Sequence, residues 1–87
     1  MAAIPKDSCP HFAGVSETPS FASSSCAECG AFAPTRVCLS CGHVGCCDSS
    51  RGHATAHARE SDHPIIRSLP LSDGAFTWCY ECNAYLR

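Results

Sequence analysis

The sequence predicts a small α+β domain, a short antiparallel sheet with one main helix, stabilised by zinc rather than by a large apolar core. Three observations carry that prediction. Val, Ile, Leu and Phe together make up 14 of the 87 residues, about 16%, whereas a fraction below roughly 20% is ordinarily too little to fold on. Nine residues are cysteine, which leaves disulfides or metal to hold what the core does not. The thiols stand in Cys-x-x-Cys pairs with histidines between them, and the stretch from Cys38 to His63 alone holds Cys38, Cys41, Cys46, Cys47, His53, His57 and His63. A tetrahedral zinc takes four thiolate or imidazole ligands, so this inventory implies more than one ion.

Metal is favoured over disulfides by context. The run Met1-Ala2-Ala3-Ile4-Pro5-Lys6-Asp7 has no basic segment leading into an apolar one, so no secretory signal is expected. No window approaches the roughly 20 apolar residues of a membrane span. The expected setting is the reducing cytoplasm, where thiols persist unless metal takes them. At this length one domain is expected, as a monomer. Residues 1–8 read as a tail and 9–87 as the folded unit.

Taken in order, Cys9-Pro10-His11 sets two ligands around a proline whose fixed φ favours a turn. Residues 14–25 are polar and read as a loop. Cys26-Ala27-Glu28-Cys29-Gly30 is a turn whose backbone amides can point at sulfur. Arg36 to Leu39 reads as a strand entering a second such turn, Cys38-Leu39-Ser40-Cys41-Gly42, with Val44–Cys46 as the return strand. Ser49 or Ser50 offers a cap for a helix from Arg51 to Ser61. That helix carries His53 and His57 at i and i+4, on one face. His63-Pro64 stops it. Ile65–Leu69 is a strand, Ser72-Asp73-Gly74 a turn, and Ala75–Tyr80 another strand. With a period of two, Trp78 and Tyr80 face away from Cys79. Metal can therefore anchor one side of this strand while the other displays aromatics, and Tyr85 is close enough in sequence to join them.

Several functions are disfavoured. A zinc protease of the His-Glu-x-x-His type needs glutamate after the first histidine as its base, and here Ala54 follows His53. The formal net charge is -2, and the six basic residues are scattered. Nucleic-acid modules show the opposite, a basic face that displaces counterions. A redox or nucleophilic thiol at Cys47, with His43 as base, lacks a recognisable oxyanion hole or orienting third residue. A non-enzymatic binding module is the expected class, with a purely structural or regulatory zinc domain as the alternative.

The elements Cys9-Pro10-His11, Cys26-x-x-Cys29, Val37-Cys38-Leu39-Ser40-Cys41, Cys46, Gly52-His53, His57, His63-Pro64 and Trp78-Cys79-Tyr80-x-Cys82 together resemble the UBP-type zinc finger. That family occurs in ubiquitin-specific proteases, in a ubiquitin-binding histone deacetylase and in small free-standing proteins. The resemblance implies three zinc ions. Cys9, His11, Cys79 and Cys82 would join the two ends of the chain. Cys26, Cys29, Cys46 and His53 would form a second site, and Cys38, Cys41, His57 and His63 a third, interleaved with it like a RING cross-brace. Counting agrees, since eight cysteines and four histidines fill three tetrahedral sites and leave Cys47 and His43 over. Spacing alone leaves open a rival scheme with His53 and His57 on one ion.

The resemblance also implies a partner. In ubiquitin-binding members a pocket takes the free C-terminal Gly-Gly carboxylate of ubiquitin, and the matching positions here are Trp78, Tyr80 and Tyr85. Those members carry an arginine two residues after the cysteine that matches Cys46, where this chain has Asp48. Losing such a charge-assisted hydrogen bond costs about 1.5–3 kcal/mol. Arg51, near the expected helix start, is the candidate replacement.

Overall fold

The computed structural model describes residues 2–12, 15, 19–21, 23–32, 34–48, 50–69, 71 and 74–87. Among them are strands β1 (Ala2–Ile4), β2 (Thr35–Cys38), β3 (Val44–Cys46), β4 (Ile65–Ser68), β5 (Thr77–Cys79) and β6 (Ala84–Leu86), and helix α1 (His53–Ser61). The strands form a single sheet in the order β1-β6-β5-β4-β2-β3. No helix among the described residues is long and apolar enough to cross a membrane.

The β2–β3 hairpin forms where the second Cys-x-x-Cys-Gly turn closes it, with Val37 opposite Val44. Gly42 donates its N–H to the Cys38 carbonyl at 2.8 Å. Its φ is +82°, and a Cβ there would run into the Ser20 carbonyl, so only glycine fits. The first turn repeats the device, Gly30 donating to the Cys26 carbonyl at 2.9 Å.

Cross-strand partners share a face and neighbours along a strand alternate, which divides the sheet in two. Register places Val37, Ile65, Cys79 and Leu86 on one face. There they pack with Cys9, Leu39 and Val44 as the core, flanked by Phe12, Val15, Phe21 and Leu71. The other face carries Arg36, Ile66, Trp78 and Tyr85. Helix α1 covers its β2–β3 end. Gly45 permits that approach, because a Cβ there would lie 2.5 Å from the Ala54 amide nitrogen. The residues α1 buries are Ala54 and Ala58, side chains short enough for the helix to lie close.

Four expectations are corrected. The helix begins two residues later than Arg51, capped by Gly52 in the left-handed region at φ 68° with no side-chain cap bond. Ser50 does not cap it, because the chain first coils back, Ser50 and Gly52 both donating to the Cys47 carbonyl. Ser49 lies outside the described residues. Residues 2–8 are not a tail: β1 pairs with β6, Arg87 donates to the Ile4 carbonyl and Lys6 to that of Arg87. That pairing is parallel, so the sheet is mixed rather than purely antiparallel. Finally, β4 and β5 are shorter than the runs 65–69 and 75–80, although single backbone bonds continue past their ends, from Leu69 to the Thr35 carbonyl and from Tyr80 to that of Pro64. The expected turn at Ser72-Asp73 lies outside the described residues.

Candidate metal centres and an adjoining cavity

Three groups of four ligand atoms come together: Cys9, His11, Cys79 and Cys82; Cys26, Cys29, Cys46 and His53; and Cys38, Cys41, His57 and His63. Within each group all four atoms lie within 4.8 Å of one another. The first group bridges the residues after β1 to β5 and the β5–β6 turn. The second is built from the first Cys-x-x-Cys turn, β3 and the start of α1, and Ala27 docks that turn by donating to the Val44 carbonyl at 2.8 Å. The third uses the end of β2 and the turn after it, the middle of α1, and His63, two residues before β4. Ligand pairs therefore alternate between the second and third groups along the chain, a cross-brace. His53 and His57 go to different groups, which excludes the rival scheme.

The geometry fits zinc. With Zn–S near 2.3 Å and Zn–N near 2.0–2.1 Å, a tetrahedron has S···S edges of about 3.8 Å and S···N edges of about 3.6 Å. Observed S···S separations are 3.5 Å for Cys9–Cys82 and 3.9 Å for Cys29–Cys46, far beyond the roughly 2.05 Å of a disulfide. Nδ1 of His11 lies 3.8, 3.6 and 3.6 Å from the sulfurs of Cys9, Cys79 and Cys82. Nδ1 of His53 is 3.3 and 3.4 Å from Cys26 and Cys46, and Nε2 of His57 is 3.2 Å from Cys41. One ring nitrogen cannot hydrogen-bond to three sulfurs at once, but a central cation satisfies all four donors. Nδ1 of His63 is buried without a hydrogen-bond partner, a polar atom whose cost is relieved by a metal at this group. Four protein ligands close each site, which is the structural rather than the catalytic pattern.

The protein alone treats the thiols unequally. Burial pushes Cys79 up to about 12, against the backbone amide of Cys82. Burial also opposes ionisation of Cys26, but the backbone amides of Glu28, Cys29 and Cys46 outweigh it and bring the thiol to about 6. A bound cation deprotonates a coordinating thiol outright, so zinc is what makes the buried set ionise together. His43 stacks on the His57 ring with centroids 4.0 Å apart and lies 3.6 Å from the Glu28 carboxylate. Those contacts engage it at the third metal group rather than as a base for Cys47.

Beside α1, on the face opposite the core, lies a cavity of about 560 Å³. Its aromatic wall is Phe76, Trp78, Tyr80 and Tyr85. Tyr85 stands edge-to-face with Trp78 at 4.9 Å and with Phe76 at 5.3 Å, the geometry favoured by ring quadrupoles. The guanidinium of Arg36 sits 4.8 Å over Phe76 and donates to the Thr35 carbonyl at 3.1 Å. On the helix side, the Thr55 hydroxyl donates to Asp48 at 2.6 Å. Burial raises the Tyr80 phenol, the Thr55 hydroxyl acting against that and the Asp48 carboxylate adding to it.

Arg51, the expected replacement cation, is exposed and does not line this cavity; Arg36 and Arg59 do. Sequence reasoning missed both. Phe76 was recoverable, being two residues before Trp78 on one strand face. Arg36 was not, because only the pairing of β2 with β4 brings it to that face.

A family model described as "Zn-finger in ubiquitin-hydrolases and other protein" matches residues 26–87. An NAD-dependent deacetylase, sir2A, of Dictyostelium discoideum is 38% identical over 61 residues, 70% of this chain and 11% of that protein. Ubiquitin carboxyl-terminal hydrolase 44 of Ailuropoda melanoleuca is 34% identical over 61 residues, 70% of this chain and 8% of that protein. The chain thus spans about a tenth of the length of these relatives. A solution NMR structure of a protein from Rhodopseudomonas palustris superposes with a TM-score of 0.72 at 39% identity, covering 90% of this chain and 79% of that one.

Proposed function

The chain belongs to the zf-UBP family of zinc fingers, and from that premise we propose that it is a non-enzymatic recognition module whose aromatic cavity receives the free C-terminal tail of a partner protein, ubiquitin or a ubiquitin-like chain. The observation that carries this reading is the joint placement of Trp78, Tyr80 and Tyr85 around one cavity, on the face opposite zinc-binding Cys79. Rings set edge-to-face leave a slot with apolar walls, and the indole N–H and phenol O–H groups offer polar contacts at its rim. A glycine-rich tail suits such a slot because it has no side chains to exclude. Arg36 and Arg59 supply positive charge for a terminal carboxylate, which charge-assisted hydrogen bonds would hold.

Zinc, when bound, supplies no reaction here; it fixes the strand ends and turns that carry the cavity walls. Closed tetrahedral sites leave no position for substrate, which supports a binding role. The family name and the ubiquitin hydrolase among the relatives support ubiquitin as the partner class. A reducing compartment is the fitting location, since eight thiols must stay available to metal.

The test is an anisotropy titration of the zinc-loaded protein with labelled peptides ending in Gly-Gly, free and amidated, alongside intact ubiquitin. Preference for the free acid, lost on Trp78→Ala, supports the reading. Equal weak binding of acid and amide overturns it.

A further inference from the structure

His43 and Glu28 belong to none of the three ligand sets, yet between them they span the second and the third. Glu28 lies inside the Cys26–Cys29 turn of the second group, and His43 follows the Cys38–Cys41 turn of the third. The two turns meet where Ala27 donates to the Val44 carbonyl at 2.8 Å. That bond sets the neighbours of its two partners side by side, and the Glu28 carboxylate comes to 3.6 Å from Nε2 of His43. At that distance the contact works through charge rather than as a full hydrogen bond. It favours the His43 tautomer whose Nε2–H faces the carboxylate.

On its other side His43 meets a metal ligand. Its ring lies flat on that of His57, with centroids 4.0 Å apart and planes 8° from parallel. His57 in turn brings Nε2 to 3.2 Å from the Cys41 sulfur. Glu28, His43 and His57 therefore form a row that runs from the ligand turn of one group to a ligand ring of the other. A cavity of about 220 Å³ adjoins His43, lined also by Ser23, Ser25 and Gly42. The ring has room to turn away from His57 unless Glu28 holds it.

We propose that Glu28 and His43 are positioning residues that couple the second and third metal sites. Cys26 and Cys29, once coordinated, fix the turn between them and with it the Glu28 carboxylate. The carboxylate keeps His43 flat against His57, and the stack holds His57 at the angle the third site needs. An imidazole that has given its lone pair to a dication is electron-poor. A neutral ring with a carboxylate at its edge is the electron-rich face that suits it. Coupling of this kind is reciprocal, so coordination of His57 also steadies the Cys26–Cys29 turn. Helix α1 links the same two sites through the main chain, since it carries both His53 and His57. The side-chain row adds a second path, one that can be cut without touching a ligand and that operates whatever enters the aromatic cavity.

The test uses the full chain loaded with NMR-active cadmium, a stand-in for zinc that gives a resonance for each site. Excess zinc is added and the loss of each resonance is timed, so the chain is never metal-free. The third site is recognised by its two sulfur ligands against three in the others. The first site, identified by its absence in His11→Ala, is the internal control. His43→Ala should speed exchange at the third site about 5-fold, as expected for loss of a ring stack. Glu28→Gln should speed it about 3-fold, the scale of a partly exposed charge contact. Exchange at the first site should stay within about 2-fold of the parent in both. His43→Phe keeps a ring over His57 and should exchange more slowly than His43→Ala. Adding Glu28→Gln to His43→Phe should change nothing further, because the carboxylate then has no ring nitrogen to hold. The coupling is overturned if Glu28→Gln leaves the third site unchanged, or speeds it equally in the His43→Phe background. It is also overturned if His43→Phe exchanges as fast as His43→Ala, or if His43→Ala quickens all the sites alike, the mark of general loosening.

Discussion

Stripping the metal with a strong chelator should unfold the chain and return about eight protons per molecule to its thiols at pH 7. The buried cluster is Cys9, Val37, Leu39, Val44, Ile65, Cys79 and Leu86, and two of those seven are ligands. A core of that size supplies at most about 3–5 kcal/mol of net stability. Structural zinc contributes an apparent 10–16 kcal/mol or so per ion in small fingers, so losing even one ion exceeds what the apolar cluster can offset. Eight of the twelve ligands are cysteines. In the unfolded chain a thiol has a pKa of about 8.5 and is almost fully protonated at pH 7, whereas a zinc-bound thiolate titrates far lower. The folded-state values are thus depressed, so the contribution is fully present above the unfolded pKa and is lost as pH falls. Eight such groups give a slope of about 11 kcal/mol per pH unit for the fully loaded state, steeper below about 6.5, where the four histidines also take up protons. Zinc titration of the metal-free chain in a weakly buffered indicator solution counts the protons, and circular dichroism follows the fold. A native spectrum that survives complete chelation, or release of fewer than about four protons, would refute the reasoning.

Three further outcomes follow from named contacts. His11→Ala should lower the zinc-to-protein ratio from three to two and remove amide-exchange protection from β1 and β6, because that site ties both chain ends to β5, while protection in β2 and β3 persists. Gly45→Ala should lower the melting temperature by an amount equivalent to about 1–3 kcal/mol, since the new methyl overlaps the Ala54 backbone and pushes α1 off β3; an unchanged melting point would contradict the packing. Arg51→Ala should leave peptide affinity within 2-fold or so of the parent, surface changes away from a contact being small, whereas Arg36→Ala should reduce it about 10-fold or more in the same titration.

Much of the metal architecture was legible because its signal is local in sequence. Each Cys-x-x-Cys-Gly turn declares itself within five residues, and His63-Pro64 marks the end of α1. Less legible was whatever depends on pairing between distant segments. Ala2–Ile4 and Ala84–Leu86 are three residues each, too short to show a period, and become strands because the first metal group and the Ile4–Arg87 bonds bring the chain ends together. The helix start misled for a related reason. Serine at 49 or 50 has the right chemistry to cap, but the ring of His53 must reach the sulfurs of Cys26 and Cys46, and the tight coil from Cys47 to a left-handed Gly52 sets that direction. Arg36 shows the same limit at the aromatic face: its neighbours in sequence give no hint of Phe76, forty residues away.

Zinc and the aromatic cavity are linked by more than adjacency. In a domain this small, a tryptophan and two tyrosines would ordinarily be the largest contributors to the core, each burying some 150–250 Å². Here Trp78, Tyr80 and Tyr85 are only half-buried, and the fully buried positions of β5 and β6 go to Thr77, Cys79, Ala84 and Leu86. The sheet can leave its rings at the surface because Cys79, on the opposite face of the same strand, fixes β5 through metal rather than through bulk. Moving the rings inward would need space on a face already filled by Val37, Ile65 and Leu86, and replacing the ligands would remove what holds the strand in register. The two features therefore constrain each other, and a variant that weakens the first metal group should loosen the Trp78–Tyr85 pair before it loosens the cross-brace. Trp78 fluorescence would show that as a red shift preceding loss of helical signal during stepwise chelation, and simultaneous loss of both would contradict it.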